Sequence, residues 1–343
     1  MSILAVMSYH IGLIRGGFLG VDIFFVLSGF LITTLLMDEW ARTGRISLGK
    51  FYARRALRLL PALVLVVVAC DVAVMVIARL YWPEVFEPVV LGMAYASVAA
   101  LLYMANWVMV SVQTLWILGH TWSLSIEEQF YLIWPLCLLA LLRWVRRRGL
   151  ILAVLLLGIS ASLILKVALV MAHSSILRIF FGLDTRFDEL LIGCVVGVFA
   201  SWGLLAGSRC SSSWLGAGAA AGAALLAFLL WRAAWRDPVM LGGGLTAAAG
   251  AAGVLIADII ARPSGWLAVA LGRQPLVGIG RISYGLYLWH FPIVYGCGAL
   301  AVDGTPPDLP RAALALGLTF LVAAASFRWI EQPMLRIKRR FTP

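Results

Sequence analysis

Apolar and polar positions fall into long separate blocks along this chain instead of alternating. Uncharged windows cover Val89–Gly119, Gly149–Leu165, Ser211–Trp231 and Val239–Ala257. A helix needs about 20 mostly apolar residues to cross a bilayer core. On that basis we expect spans at Phe18–Met37, Leu59–Leu80 and Ser125–Leu142. Further spans are expected near 149–172, 187–206, 214–231, 239–261, 283–301 and 311–329. Ser2–Gly12 would make a helix of only about 16 Å, too short to cross alone. It reads as the second half of a first span whose start is missing. Val89–Val112 is long enough to cross, but counting it puts Arg54–Arg58 and Arg143–Arg148 on opposite sides. Either it is re-entrant, or Gln113–Trp122 holds a short extra crossing. The expected fold is all-α, a polytopic transmembrane helical bundle of about ten spans, with residues 1–343 as one membrane-embedded domain.

Composition strengthens this reading. Hydrophobic residues make up 63% of the 343 and charged residues 13%, against about 45–50% and 25% in soluble domains. No separate soluble domain fits, because the longest polar stretch, Asp38–Arg58, is loop-sized. The net charge of +11 does not point to nucleic acid. Its basic residues cluster in Arg42–Arg58, Arg143–Arg148, Arg262–Arg281 and Arg336–Arg340, each beside an apolar span, and Arg209 follows another. That is the positive-inside pattern, with anionic lipids as partners. Trp82-Pro83-Glu84, Asp237-Pro238 and the Asp303–Asp308 loop then face outward. The five cysteines lie mostly in apolar runs without paired spacing, so neither disulfides nor a metal site is expected.

Polar groups at membrane depth cost at least about 2.5–3.5 kcal/mol each on insertion scales, so each needs a partner or a task. His10 lies in an apolar helix remnant, where a neutral imidazole can take a proton from a hydroxyl near pH 7. Asp22, at the start of the next span, is placed to orient it. Ser28-Gly29 permits close backbone approach, to a helix or to an extended ligand arm. Arg54, Arg55 and Arg58 form a basic run with Arg54 and Arg58 on one helix face. Such a run suits anionic lipid or a ligand with several phosphates equally well. In Trp122–Tyr131, Ser125 and Glu128 have capping-box spacing. Glu127 and Glu128 point about 100° apart on a helix, so one of them orients His10 or binds an acceptor; His120 is a weaker candidate base. Pro292 after His290 implies a kinked helix, and the neighbouring aromatics, Tyr284 among them, would line a sugar site or an interfacial belt. Arg328 and Glu331 are expected to pair as a structural i,i+3 contact. These residue types support proton transfer without naming the reaction. A transporter or flippase would use the same groups as a proton relay.

Taken together, the motifs resemble the acyltransferase 3 family of multi-spanning membrane acyltransferases. The matching pieces are His10, Gly16–Thr33 (GGFLGVDIFFVLSGFLIT), Phe51–Pro61 (FYARRALRLLP), Trp122–Pro135 (WSLSIEEQFYLIWP), Ile282–Pro292 (ISYGLYLWHFP) and Phe327–Pro333 (FRWIEQP). They stand in the family's order and cover the first 140 and last 70 residues or so; the middle matches in hydropathy and at Arg186–Gly193. The resemblance implies transfer of an acyl group, commonly acetyl, from acyl-CoA as co-substrate, with no permanently bound cofactor. The acceptor would be a hydroxyl of a carbohydrate or glycosylated molecule, such as a cell-envelope polysaccharide or a macrolide sugar. It implies a multi-pass protein of the cytoplasmic membrane, with His10, Asp22 and Glu127 catalytic. Arg54, Arg55, Arg58 and Ser28 would then bind the coenzyme, and Glu128, Trp122, Tyr284 and His290 the acceptor. The family's basic residue eleven positions before the histidine would precede Met1, in keeping with the truncated first span.

Overall fold

The computed structural model describes residues 1–112, 114–145, 147–205, 209–301 and 306–338. Arg146, the side chains of Arg209 and Cys210, Asp303–Thr305 and the tail residues Arg339 and Arg340 lie outside that description. The described residues are helical, without strands. Packing divides them into two compact units, each assembled from separate stretches of chain.

The first unit comprises Met1–Tyr9, Ile14–Ile46 and Glu127–Gly278. It holds most of α1 (Ser2–His10), then α2 (Leu19–Thr43). It also contains the greater part of α6 (Trp122–Ala140), α7 (Arg148–Met171), the short α8 (Ile176–Phe181) and α9 (Leu183–Ser201). α10 (Arg209–Arg232), α11 (Leu245–Ala261), α12 (Trp266–Leu271) and most of α13 (Gln274–Arg281) complete it. The second unit comprises His10–Leu13, Ser47–Ile126 and Ile279–Pro343. Its helices are α3 (Leu48–Tyr81), α4 (Phe86–Leu101), α5 (Ala105–Ser111), α14 (Ser283–Gly296), α15 (Leu309–Ser326) and α16 (Gln332–Lys338).

Among the described residues, eight helical stretches are long and apolar enough to cross a membrane. α9 and α14 are the remaining expected spans. The first carries Asp184, Arg186, Asp188 and Glu189, and the second is only 14 residues long.

In the first unit, α2 and α9 run parallel in contact. Asp22 meets Arg186, the Cβ position of Gly29 falls on the Leu190 carbonyl, and that of Gly197 lies 2.9 Å from the Phe30 carbonyl oxygen. Gly193 answers Gly29 from the other side, its Cβ position falling on the Val26 carbonyl. Small residues let two backbones approach this closely, which replaces the hydrophobic drive that lipid cannot supply. α7 runs antiparallel to α9, with Gly158 facing Leu191 and Lys166 facing Asp188. Met37 and Trp40 of α2, Arg148 of α7 and Trp202 after α9 therefore meet at one end, around a cavity of about 440 Å³. Asp38 and Arg148 both line that cavity, so the end of α2 and the start of α7 share a side, as expected. Trp134 of α6 donates to Thr33 of α2 at 2.9 Å.

In the second unit, α3 has 34 residues, about 51 Å at 1.5 Å per residue. A hydrocarbon core of about 30 Å is filled by its apolar part from Leu59 onward. Arg54–Arg58 therefore belong to helical turns beyond the core, so the polar loop is only Gly44–Ser47. Val89–Val112 is not one helix. α4 stops at Leu101, Tyr103 takes a left-handed backbone (φ 54°), and the chain doubles back through α5 and a 3₁₀ turn, Trp116–Thr121. On the return Trp116 lies 3.3 Å from the Cβ position of Gly92. α6 begins at Trp122, so Ser125 is not the cap its spacing suggested. Its hydroxyl donates to the Thr121 carbonyl and accepts from the Ala105 amide, each at 3.1 Å. Cys70 and Cys194 are buried and free, while Cys137 is exposed.

Gly29→Ala should cost about 1–3 kcal/mol, because a methyl group would have to displace the Leu190 backbone. Gly250→Ala, on α11 with no atom within 4 Å of its Cβ position, should be neutral or stabilising by up to about 1 kcal/mol. Thermal melts of both proteins in one detergent check the contrast.

Candidate active site

The second unit gathers three histidines, and α14 organises them. Tyr287 and His290, three residues apart, share a helix face. His290 is wholly buried, and its Nδ1 lies 2.6 Å from the Tyr287 carbonyl oxygen. A carbonyl only accepts, so Nδ1 carries the proton and Nε2 of the neutral ring is an acceptor. His10 Nδ1 sits 3.2 Å from that Nε2 and is therefore the donor. The lone pair of neutral His10 consequently resides on its own Nε2.

His10 is held from both sides of its peptide. Its carbonyl accepts from the Ala301 amide at 2.8 Å. The next residue, Ile11, is buried in a cluster with Val294, Ala299, Ala312 and Ala315. Gly12 then turns with φ 77°, and its Cβ position lies 2.8 Å from the Ala301 side chain. A larger residue would meet both backbone strain and a clash there.

His120, on the 3₁₀ turn, stacks on Phe291 (centroids 5.3 Å apart) and lies edge-on to His290 at 5.6 Å. Phe291 also meets His10, at 5.0 Å. The His120 ring lies beside the carbonyls of Ile117 and Leu288 without an aligned hydrogen bond. Pro292, lacking an N–H, leaves the Leu288 carbonyl without its helical donor. The Tyr287 hydroxyl donates to the His120 carbonyl at 2.8 Å and receives a very short bond from Ser123. One tyrosine thus fastens the turn bearing His120 to the helix bearing His290. Tyr284, one turn earlier, donates to the Leu59 carbonyl at 2.8 Å. Trp122 is buried at the start of α6.

Of the expected site residues, His10, Trp122, Tyr284, His290, Arg54, Arg55 and Arg58 belong to this unit. On α3, Arg54 and Arg55 are half-buried and Arg58 is exposed. Asp22, Ser28, Glu127 and Glu128 belong to the first unit. There Asp22 pairs with Arg186 at 3.2 Å, and the Ser28 hydroxyl donates to Glu127 at 2.6 Å. The sequence reading lacked the direct meeting of His10 with His290, which it had placed on the acceptor. The expected Arg328–Glu331 pair does not form. Phe327–Glu331 is a π-turn, which exposes Arg328 and buries Glu331 with Ser326 and Arg58 as its polar neighbours. The widened turn breaks the i,i+3 spacing on which the expectation rested.

The family model described as "Acyltransferase domain" (acyltransferase 3) matches residues 1–328. The chain is 33% identical over 347 aligned residues to the peptidoglycan O-acetyltransferase OatA of Listeria monocytogenes, covering 97% of this chain and 54% of that protein. It is 33% identical to the O-acetyltransferase OatA of Staphylococcus aureus, covering 97% and 55%. With the putative peptidoglycan O-acetyltransferase YrhL of Bacillus subtilis it shares 31% identity, covering 97% and 53%. The chain spans about half the length of these curated relatives, and no solved structure matches it. A multi-pass helical chain with three of its four histidines clustered, matched by one family model over nearly all its length, belongs to the acyltransferase 3 family.

Proposed function

We propose that this chain is a membrane O-acetyltransferase that moves an acetyl group from acyl-CoA to a hydroxyl of a carbohydrate acceptor, with His10 as general base. The observation that carries this reading is the His10–His290 contact, whose tautomers are set by the Tyr287 carbonyl. The relatives' names point to peptidoglycan as the acceptor class, and the cytoplasmic membrane is the proposed location.

In the proposed step, His10 Nε2 removes the acceptor's hydroxyl proton as that oxygen attacks the thioester carbonyl. The C–O bond forms, the C–S bond breaks, and the proton passes from His10 to the departing thiolate. His290 keeps accepting from Nδ1 throughout, which fixes the ring and stabilises the imidazolium. His290 is thus read as a positioning residue. Arg54 and Arg58, on one face of α3 beyond the apolar stretch, suit the coenzyme's phosphates. Trp122 and Tyr284 are assigned to the acceptor. From the first unit, Asp22, Ser28, Glu127 and Glu128 keep the proposed roles of charge support, donor-arm contact and acceptor binding.

The test is release of free thiol from acetyl-CoA by the purified chain in nanodiscs, with a panel of sugar acceptors. His10→Ala should abolish turnover while the protein stays folded; retained turnover would sink the assignment. His290→Ala should lower kcat about 10²-fold or more with little change in KM for the coenzyme. Equal loss in both parameters would instead make His290 a binding residue. Arg58→Ala should raise KM for acetyl-CoA and leave kcat nearly unchanged.

A further inference from the structure

The first unit contains a second concentration of ionisable groups, of which only Asp22 has a proposed part in acyl transfer. Asp22 of α2, Lys166 of α7, and Arg186, Asp188 and Glu189 of α9 are all wholly buried. They divide into two halves. In one, Lys166 Nζ donates to Asp188 at 2.7 Å and to the Thr246 hydroxyl at 2.7 Å. Asp188 also accepts from Thr246 at 2.5 Å and from Ser162 at 3.2 Å. Its carboxylate is fully supplied with donors, as an anion requires.

The other half is not balanced. Arg186 lies between two carboxylates, 3.2 Å from Asp22 and 3.1 Å from Glu189, with the rings of Phe25 and Phe180 5.5 and 5.0 Å from its guanidinium. Both acids draw on that one guanidinium, and Lys166, already donating to Asp188, lies 4.0 Å from Glu189. The charged groups acting on these two acids are Arg186, Lys166, Asp188 and each other. Among the described residues α11 contributes the hydroxyl of Thr246, and the nearby Arg178–Asp184 pair is neutral in itself. Asp22, Asp188 and Glu189 would therefore set three negative charges against two positive ones on Lys166 and Arg186. An unpaired charge in an apolar interior is far costlier than neutralising the group that bears it. A metal ion is a poor answer to the excess. Arg186 fills the space between the acids, and among the described residues no group of three potential ligands is arranged to hold one.

We propose that Asp22 and Glu189 form a proton-binding site, holding one shared proton across Arg186 in the resting protein at neutral pH. Either acid can bear the proton while the other pairs with the guanidinium. The site ties α2 to α9, so their association depends on that proton remaining in place.

Infrared spectroscopy of the full chain in lipid reads this directly, through the carbonyl stretch of neutral carboxylic acids. The wild-type protein at neutral pH should show a contribution that disappears in both Glu189→Gln and Asp22→Asn, since removing either acid leaves one carboxylate for one guanidinium. Asp71→Asn, in the other unit where that acid accepts from Ser97 at 2.6 Å, should leave it intact. Persistence of the contribution in both single variants would overturn the proposal. So would a wild-type spectrum without a neutral-acid signal, a result that needs no variant to fold. The unfolded chain releases this proton at neutral pH, so the wild-type melting temperature should fall as pH rises towards alkaline values. Glu189→Gln, with no proton to lose, should show a smaller fall; an equal fall in both proteins would count against the site.

Discussion

Arg186 can stand between Asp22 and Glu189 only because α2 and α9 lie close enough for their backbones to touch. Gly29 and Gly193 remove the side chains that would hold the helices apart, each one presenting bare backbone to a carbonyl of the partner helix. The parallel register then brings Asp22 level with Arg186, two helical turns before that contact. Lipid offers no donor or acceptor and solvates no carboxylate. The cluster's charges must therefore be met by side chains on neighbouring helices, and α7 and α11 are positioned to supply Lys166, Ser162 and Thr246. The glycine contact and the ionic cluster are thus one arrangement, in which close approach makes pairing possible and pairing fixes the register.

Around its histidines the second unit meets the same constraint without charges. The polar groups there are the histidines, a tyrosine, a serine and the carbonyls released at Pro292 and within the 3₁₀ turn. Each histidine ring has a definite neighbour, and the directions of the hydrogen bonds follow from the Tyr287 carbonyl, which can only accept. That one carbonyl determines which nitrogen of His290 bears a proton and, through it, which nitrogen of His10 does.

Most of the architecture was legible in the sequence, because a span of about 20 apolar residues and a flanking basic loop are local signals. The face shared by Arg54 and Arg58 was legible for the same reason. His10 and His290 were each visible as costly residues, but their meeting joins positions 280 residues apart, and no local pattern encodes that. The break after Leu101 was hidden because Tyr103 takes a left-handed backbone without a glycine or proline to mark it. Lys166 closes an apolar run, where a lysine ordinarily reads as reaching for the membrane surface. Its burial against Asp188 depends on the antiparallel packing of α7 and α9. Glu331 was assigned the wrong neighbour because a π-turn changes the spacing on which helical pairing rules depend.

That π-turn has a meaning for how the last helix can vary. A π-turn is in effect one residue more than an α-helix would use over the same length. Deleting a single residue between Phe327 and Glu331 would restore regular helix and leave Gln332–Lys338 facing α3 nearly as before. Keeping the residue while forcing a regular helix would instead rotate everything beyond it by about 100°. The widened turn thus absorbs an extra residue without changing the orientation of the chain's last described turns.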